Sequence, residues 1–463
     1  MNAGRRLTTD VLVSGGGMAG LCAALAAAQR GAKVLVLEKG NRFGGSMYLS
    51  NGIVWTYAST DEVRRRVPDG DFALQDMLVS HLGDGLEWLQ SQGVDLESER
   101  VYLERGRGRA ASGPQMTQAL VDGLRARGGQ LLASTALQQL STQAGAVTGA
   151  LAFGAQGPVQ VDARAVVLAT GGFQGNAELL ARYVSPHAAS MYLRANPWST
   201  GDGLLAALDS GAATTPWLDT FYGHALTAPP ARFDASGFQE MSHKYGPLAV
   251  ALNLHGRRFA DESAGTGEEW LNSQIARQPQ ASAAYVFDAV TAEREYEGGA
   301  LGRVVLERAR RAGGPVAQAA TLEELAAQMH GWGLPPAEVL HTLAGYNAAV
   351  SAGRGEFLHP PRRGNPFPVL QPPFSAALVR SAITFTCGGL RCDLDMRVLR
   401  RAQSVSMLPL VTAGRDEFQF AAVPNLFAAG CDVGGFSTNA YLGGLAQALV
   451  SGRIAGAAAA ECG

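Results

Sequence analysis

Only 17% of the 463 residues are charged, and the two signs nearly cancel, 38 Lys and Arg against 40 Asp and Glu. A net charge of −2 provides no positive field for a polyanion. It argues against nucleic acid as a partner and against a polybasic membrane patch. Cysteine is also scarce, with Cys22, Cys387, Cys392, Cys431 and Cys462 the whole complement. An odd number with no CxxC pair argues against a disulfide framework, a zinc site (no metal is expected) or a bound iron–sulfur cluster. It fits a reducing cytoplasm. No apolar run is long enough to span a bilayer. Arg5-Arg6 precede an apolar stretch and could mimic an export signal. The motif that follows them makes a flexible start the better expectation.

Apolar residues, at 47%, and glycine, at 58 residues, are abundant. The first is enough for a large packed core and against disorder. The glycines follow no collagen-like period, so they serve turns and close backbone approaches. The length predicts two or three domain-sized units.

The most informative segment opens the chain. Asp10 to Ser14 is a short apolar run, expected as a buried parallel strand. Gly15-Gly16-Gly17-Met18-Ala19-Gly20 follows, then an Ala/Leu-rich helix to about Arg30, ended by Gly31. Lys33 to Leu37 is a second buried strand, with Glu38 at its end. This is G-x-G-x-x-G between a strand and a helix. Gly15 permits the tight turn, Gly17 lets the backbone reach a pyrophosphate, and Gly20 lets helix and strand pack closely. The helix N-terminus offers free N–H groups and a positive dipole to the phosphates. Glu38, beyond the second strand, is placed to accept bonds from ribose hydroxyls. Dinucleotide binding is the expectation.

Further strands are expected at Arg164 to Thr170 and Asn425 to Ala429, with a small meander over 131–153. Segment 200–211 is a glycine turn and a helix. Residues 226–236 mark a boundary, 321–330 and 335–351 are helical, and the proline-rich 359–373 forms a return linker. Two discontinuous blocks of one character thus flank a middle block of another.

Three features select FAD over NAD. Gly44-Gly45-Ser46 give a second close approach on the same sheet edge, and Ser46, Ser50 and Asn51 would lie along the cofactor. Ala169, Thr170 and Gly171 end a later strand. Gly430 follows another strand, and Gly443-Gly444 precede a C-terminal helix. A ligand touched by both ends of the chain is long. There is no second fingerprint for a nicotinamide cofactor.

These residues carry a resemblance. The chain resembles the fumarate reductase and 3-ketosteroid dehydrogenase superfamily of flavoproteins over nearly its whole length. The markers are SGGGMAG at 14–20, GGSMYLSNGIVW at 44–55, ATGG at 169–172, TGDG at 200–203, GRRFADE at 256–262, ITFTCGGLRCD at 383–393 and PNLFAAG at 424–430. VGGFSTNAYLGG at 433–444 is similar to the tricarballylate dehydrogenase branch. The resemblance implies an α/β fold, an FAD-binding Rossmann-type domain of the glutathione reductase kind with an inserted α+β capping domain. The implied division is 1–224 and 381–463 for the FAD domain and 225–380 for the cap. It adds Met18, Ala19, Lys39, Gly52, Leu137, Asp202, Gly444 and Leu445 to the cofactor contacts. Cys431 stands where the family often has a ribityl-binding Glu, and Asp432 is the candidate to replace it. Met47 stands where a covalent flavin-attaching His would be, so FAD is expected to be non-covalent.

The implied reaction removes or adds two hydrogens across a C–C bond next to a carbonyl, one as hydride at flavin N5 and one as a proton at a side chain. The departures from fumarate reductase favour dehydrogenation (desaturation), with an enoate or fumarate-type reductase as the alternative. The two His before the Gly-Gly of that family are Thr384 and Phe385 here, and the Arg before its last Leu-Gly-Gly is Tyr441. The cap arginine falls near Thr291 or Ala292. Tyr441 is the expected acid/base, helped by the helix N-terminus at Gly444. His224 is a candidate substrate ligand, and Arg380 a candidate carboxylate clamp. The substrate is a cyclic ketone or steroid-like compound, or a polycarboxylate. The electron acceptor is a quinone, an electron-transfer protein or oxygen.

Overall fold

A computed structural model describes residues 5–102, 106–296, 300–402, 420–438 and 440–462. Two sheets organise the described residues. In the larger, the strands run in the order Arg397–Arg401, Phe420–Ala428, Gly157–Leu168, Arg5–Ser14, Val34–Leu37, Gln130–Leu132. Arg5–Ser14 pairs parallel with both Val34–Leu37 and Gly157–Leu168, which also pairs parallel with Phe420–Ala428. Val11, Leu12, Val13 and Val34 to Leu37 are buried, as strands covered on both faces require. The hairpin of Ala136–Gln143 and Ala146–Gly154 folds antiparallel onto Gly157–Leu168.

The first strand corrects one expectation. It begins at Arg5, not Asp10, and Arg5-Arg6 are not a flexible start. Arg5 to Thr9 pair with Val159 to Ala163, and Arg6 Nε donates to Asp162 at 2.6 Å. The long neighbouring strand supplies ladder partners for residues whose own sequence carries no apolar signal.

Two helices place the site. Met18–Gln29 follows the first strand, and Gly444–Ala460 closes the chain. A Cβ on Gly452 would lie 2.4 Å from the Ala19 carbonyl, and one on Gly456 2.0 Å from that of Ala23. Glycine at both positions lets the backbones touch. Contact advances by one turn in the same direction on each helix, so the two run parallel. Ala19 is level with Gly452, so the second helix begins seven residues earlier, about 10 Å further out at 1.5 Å per residue. Both positive ends open on the same side of the molecule, staggered.

The second sheet is antiparallel. Leu226–Thr227 and Ser282–Phe287 flank Phe374–Arg380, with Val250–Leu252 beside Ser282–Phe287 and Val316–Ala319 also on Phe374–Arg380. Helix Leu322–His330 starts with a Thr321–Glu324 capping box and packs on it with Pro336–Ser351. Within this layer Glu262 is fully buried between Arg258 at 2.6 Å and Arg362 at 3.0 Å. Two short ladders lie between the sheets: Tyr192–Leu193 beside Ala382–Ile383, and Phe221–Tyr222 beside Phe385–Thr386.

Candidate active site

A cleft with a cavity volume of about 510 Å³ runs from the end of the parallel sheet to the second layer. Its floor is the glycine turn. Gly15 has φ +110°, and a Cβ there would stand 2.0 Å from the Ala169 carbonyl. A Cβ on Gly20 would stand 1.8 Å from the carbonyl of Gly15. These two are consumed by packing, and Gly20 lies behind the cleft surface. Gly17 caps the first helix and differs. A Cβ there would meet nothing closer than 3.9 Å, so glycine leaves open space before the free N–H groups of the helix start. Gly15, Gly17, Met18 and Ala19 line the cleft, joined by Ala169, Thr170, Gly171 and Gly430 from the neighbouring strand ends. Gly45, Ser46, Ser50 and Asn51 form the facing edge. Gly52 does not line it, because its φ of +68° and contact with the Ala111 carbonyl serve the turn.

At one end stand Glu38, Lys39, Leu137 and Asp202. The Glu38 carboxylate accepts from Gly16 N at 2.7 Å and Gly40 N at 2.6 Å. Its position is fixed by backbone, and two donors already share its oxygens before any ribose arrives. Burial raises its pKa against those bonds. Lys39 pairs with Asp202 at 2.9 Å. Asp432 is placed otherwise than expected. It is 1% exposed, lies outside the cleft lining, and accepts from Thr170 Oγ1 at 2.9 Å and Gly172 N at 3.0 Å. It braces the Thr170-Gly171-Gly172 turn from behind, and its neighbour Cys431 faces the cleft.

At the other end the second layer closes over. Tyr441 lies before the positive φ of Gly443, with Gly444 and Leu445 at the helix start. Burial raises its phenol, while the Gly444 N–H, the Trp55 side chain and Arg194 pull it down. Its ring stacks on Tyr222, centroids 4.2 Å apart and planes at 16°, with Trp55 edge-on at 5.4 Å. Phe385 packs against Tyr222 at 5.1 Å. His224 lines the same wall. Its Nε2 is 2.9 Å from Tyr222 Oη, and its Nδ1 is in contact with Glu268 Oε2. Glu268 Oε1 accepts from Ala225 N at 2.6 Å.

Arg380 is not brought to the site. It lies outside the cleft lining, its Nε 3.3 Å from Ser282 Oγ and its guanidinium over the Tyr192 ring. It ends an inner strand of the second sheet, where it pairs with Leu226 on one side and Ser282 on the other. Thr291 and Ala292 also fall outside the lining. The arginine of the cleft is Arg194. It is 9% exposed, Nη1 donates to Thr384 Oγ1 at 2.9 Å, and its buried Nε has no partner. Among the described residues no carboxylate pairs with it. Arg194, Tyr222, Lys244, Glu268 and Asn196, which holds Ser46 Oγ at 2.8 Å, all line the cleft and carried no spacing signal. Only the proximity of Arg194 and Asn196 to TGDG could have marked two of them.

A long groove with one helix N-terminus at its middle, another about 10 Å further, and a fixed carboxylate at one end is the geometry of a dinucleotide-binding oxidoreductase. The open space before Gly17, which a Cβ would fill, fits a pyrophosphate, and the stagger fits a cofactor longer than a mononucleotide. The chain belongs to the FAD binding domain family, whose model matches residues 10–446, and it holds FAD without a covalent bond. It is 28% identical to a probable fumarate reductase, Ifc3, of Shewanella frigidimarina, over 99% of this chain and 76% of that one. It is 27% identical to the vinyl phenol reductase of Lactiplantibacillus plantarum over 98% and 96%. It is 24% identical to a 3-oxosteroid 1-dehydrogenase of Mycobacterium tuberculosis over 86% and 91%. The protein is a flavin-dependent oxidoreductase of the superfamily that holds the fumarate reductases and ketosteroid dehydrogenases. No helix among the described residues is long and apolar enough to cross a membrane.

Proposed function

We propose that the protein transfers two hydrogens across a C–C bond alpha–beta to a carbonyl, with Tyr441 exchanging the proton. Bound FAD supplies the hydride chemistry. One observation carries the reading: Tyr441 lines the groove where it meets the second layer, directly before the Gly443-Gly444 helix start. Burial raises this phenol, and the positive end of the helix that begins at Gly444 works against that rise and towards the phenolate a base at carbon requires. The aromatic wall of Trp55, Tyr222 and Phe385 supports a ring-bearing carbonyl substrate; the name of the 3-oxosteroid relative agrees with that, and the name of the vinyl phenol relative agrees with the ring alone. On this reading residues 225–380 act as the cap, and 1–224 with 381–463 hold FAD. All five cysteines are free, which supports a reducing, cytoplasmic setting.

The saturating direction is favoured by a separate observation. Burial pushes Glu268 up to about 8, so a protonated carboxyl stands in the cleft wall at neutral pH. Dehydrogenation and saturation are distinguished by anaerobic half-reactions. A 3-ketosteroid or a cyclohexanone that bleaches the flavin supports dehydrogenation. Fumarate or a cyclohexenone that reoxidises dithionite-reduced protein, with no saturated compound bleaching it, supports saturation. No reaction with any of them would overturn the proposed activity.

A further inference from the structure

We propose that Tyr222 is the acid of the site, donating to the substrate carbonyl oxygen and drawing its proton from Glu268 through His224, while Tyr441 works at carbon. This rests on the activity proposed above and divides its two proton demands. Taking a proton from carbon next to a carbonyl leaves charge on the carbonyl oxygen, so one group must accept and another donate.

The chain of contacts is built. Tyr222 and His224 are two residues apart and both line the cleft. Gly223 between them is obligatory, because a Cβ there would stand 1.9 Å from the Ala382 carbonyl. Glu268 opens helix Glu268–Ala276 behind Gly267, which holds φ +80°. The Ala225 N–H fixes Oε1 at 2.6 Å, and that aims Oε2 at His224 Nδ1. All three side chains are at least nine-tenths buried and yet form the cleft wall. A trio that served packing alone would gain more from apolar residues of the same volume.

The environments separate the two phenols. Burial comes first at Tyr441 too and raises its phenol, but there Gly444, Trp55 and Arg194 all work against the rise. Tyr222 has burial first, then the charges of Tyr441, Glu269 and Glu268, raising it well above the usual phenol value, against Arg194 alone. The lower phenol is the base and the higher the acid. Burial holds Glu268 protonated, against Lys244 and Arg194, and it holds His224 neutral. The phenols of Tyr222 and Tyr285 and the neighbouring Glu269 complete the titratable and charged surroundings.

The protons balance. As Tyr441 takes the proton from carbon, the Tyr222 O–H bond breaks and its proton goes to the carbonyl oxygen. The His224 Nε2 proton restores the phenol, and the Glu268 carboxyl proton moves to Nδ1. Glu268 is left ionised. Bound FAD would take the second hydrogen as hydride; the O–H proton would then return through Tyr222 and His224 to Glu268 as the C=C bond closes. Saturation is the reverse sequence.

The test is infrared titration of the FAD-loaded protein, which needs no substrate. Wild type should show a protonated carboxyl that titrates near 8, absent in Glu268→Gln and shifted in Tyr222→Phe and His224→Asn. Visible absorbance of bound FAD in each variant verifies folding. Absence of that carboxyl at pH 7, or its indifference to Tyr222→Phe and His224→Asn, overturns the relay. With a compound that reoxidises the reduced protein, the wild-type rate should be flat below pH 8 and fall above it. Glu268→Gln should lower the rate about 100-fold and abolish that fall. A fall above pH 8 that survives in Glu268→Gln overturns the relay while leaving the activity intact. If no compound reacts, the activity fails and the infrared result alone decides the relay.

Discussion

Gly17 and Gly20 are both fingerprint glycines, and the structure predicts opposite failures for them. At Gly17 the backbone is extended, with φ −81° and ψ −168°, and a Cβ has 3.9 Å of clearance. Alanine therefore fits the fold. Its cost is the weaker N-cap, about 1 kcal/mol at most. The methyl group, however, projects into the space before the helix N–H groups. Pushing a phosphate off two of them forfeits about 1.5–3 kcal/mol each, which raises the FAD dissociation constant about 10²- to 10⁴-fold. At Gly20 a Cβ would lie 1.8 Å from the Gly15 carbonyl. Helix and strand must part, at about 1–3 kcal/mol or more. The assay is FAD titration by flavin fluorescence, with thermal melting of the apo protein. Gly17→Ala should melt close to wild type and bind FAD poorly, whereas Gly20→Ala should lose melting temperature first. A Gly17→Ala protein that binds FAD within threefold of wild type would refute the placement of the pyrophosphate.

Other outcomes follow from the same geometry. Arg380→Leu should leave turnover within twofold of wild type, since Arg380 stands outside the cleft, while Arg194→Leu should depress it at least tenfold; equal effects would return Arg380 to the site. Asp432→Ala should cost about 1–3 kcal/mol in denaturant unfolding, because Thr170 and Gly172 lose their acceptor; an unchanged midpoint would remove its bracing role. His243 is buried between Thr227 and Tyr245 at 2.8 and 2.9 Å, and burial lowers its pKa from 6.5 to about 3. Above pH 6.5 both folded and unfolded chains hold it neutral. Below, the unfolded chain gains a proton that the folded one refuses, so stability falls from pH 6.5 towards 3. Melting temperature against pH should show this, and His243→Gln should flatten the slope.

The cofactor half of the site was legible because its chemistry is local. The turn from Gly15 to Gly20, Glu38 and the Gly443-Gly444 helix start lie within or beside single elements, and period and glycine spacing report such features. The place of Tyr441 in the cleft lining was legible for the same reason. The misses are of another kind. Arg194, Glu268 and Lys244 are single residues whose role depends on which layer meets which, and nothing in spacing encodes a contact across 44 residues such as His224 with Glu268. Arg380 misled because four residues before Thr384 is close in sequence, but the strand ending at 380 points it towards Ser282 and Tyr192. Asp432 was placed on the cofactor because it follows Cys431. Gly430–Asp432 is a turn of 3₁₀ helix, in which successive side chains diverge by about 120°, so one faces the cleft and the other lies behind it.

The most direct test of the central claim is anaerobic reaction of the FAD-loaded protein, wild type and Tyr441→Phe, with a 3-ketosteroid, a cyclohexanone, tricarballylate, fumarate and 4-vinylphenol, watching the flavin absorbance. At least one carbonyl-activated or conjugated compound should bleach or reoxidise the wild-type flavin. Tyr441→Phe, with FAD still bound, should do so about 10²- to 10⁴-fold more slowly. A Tyr441→Phe protein reacting at the wild-type rate, or a wild-type flavin that none of the five touches, would contradict that claim.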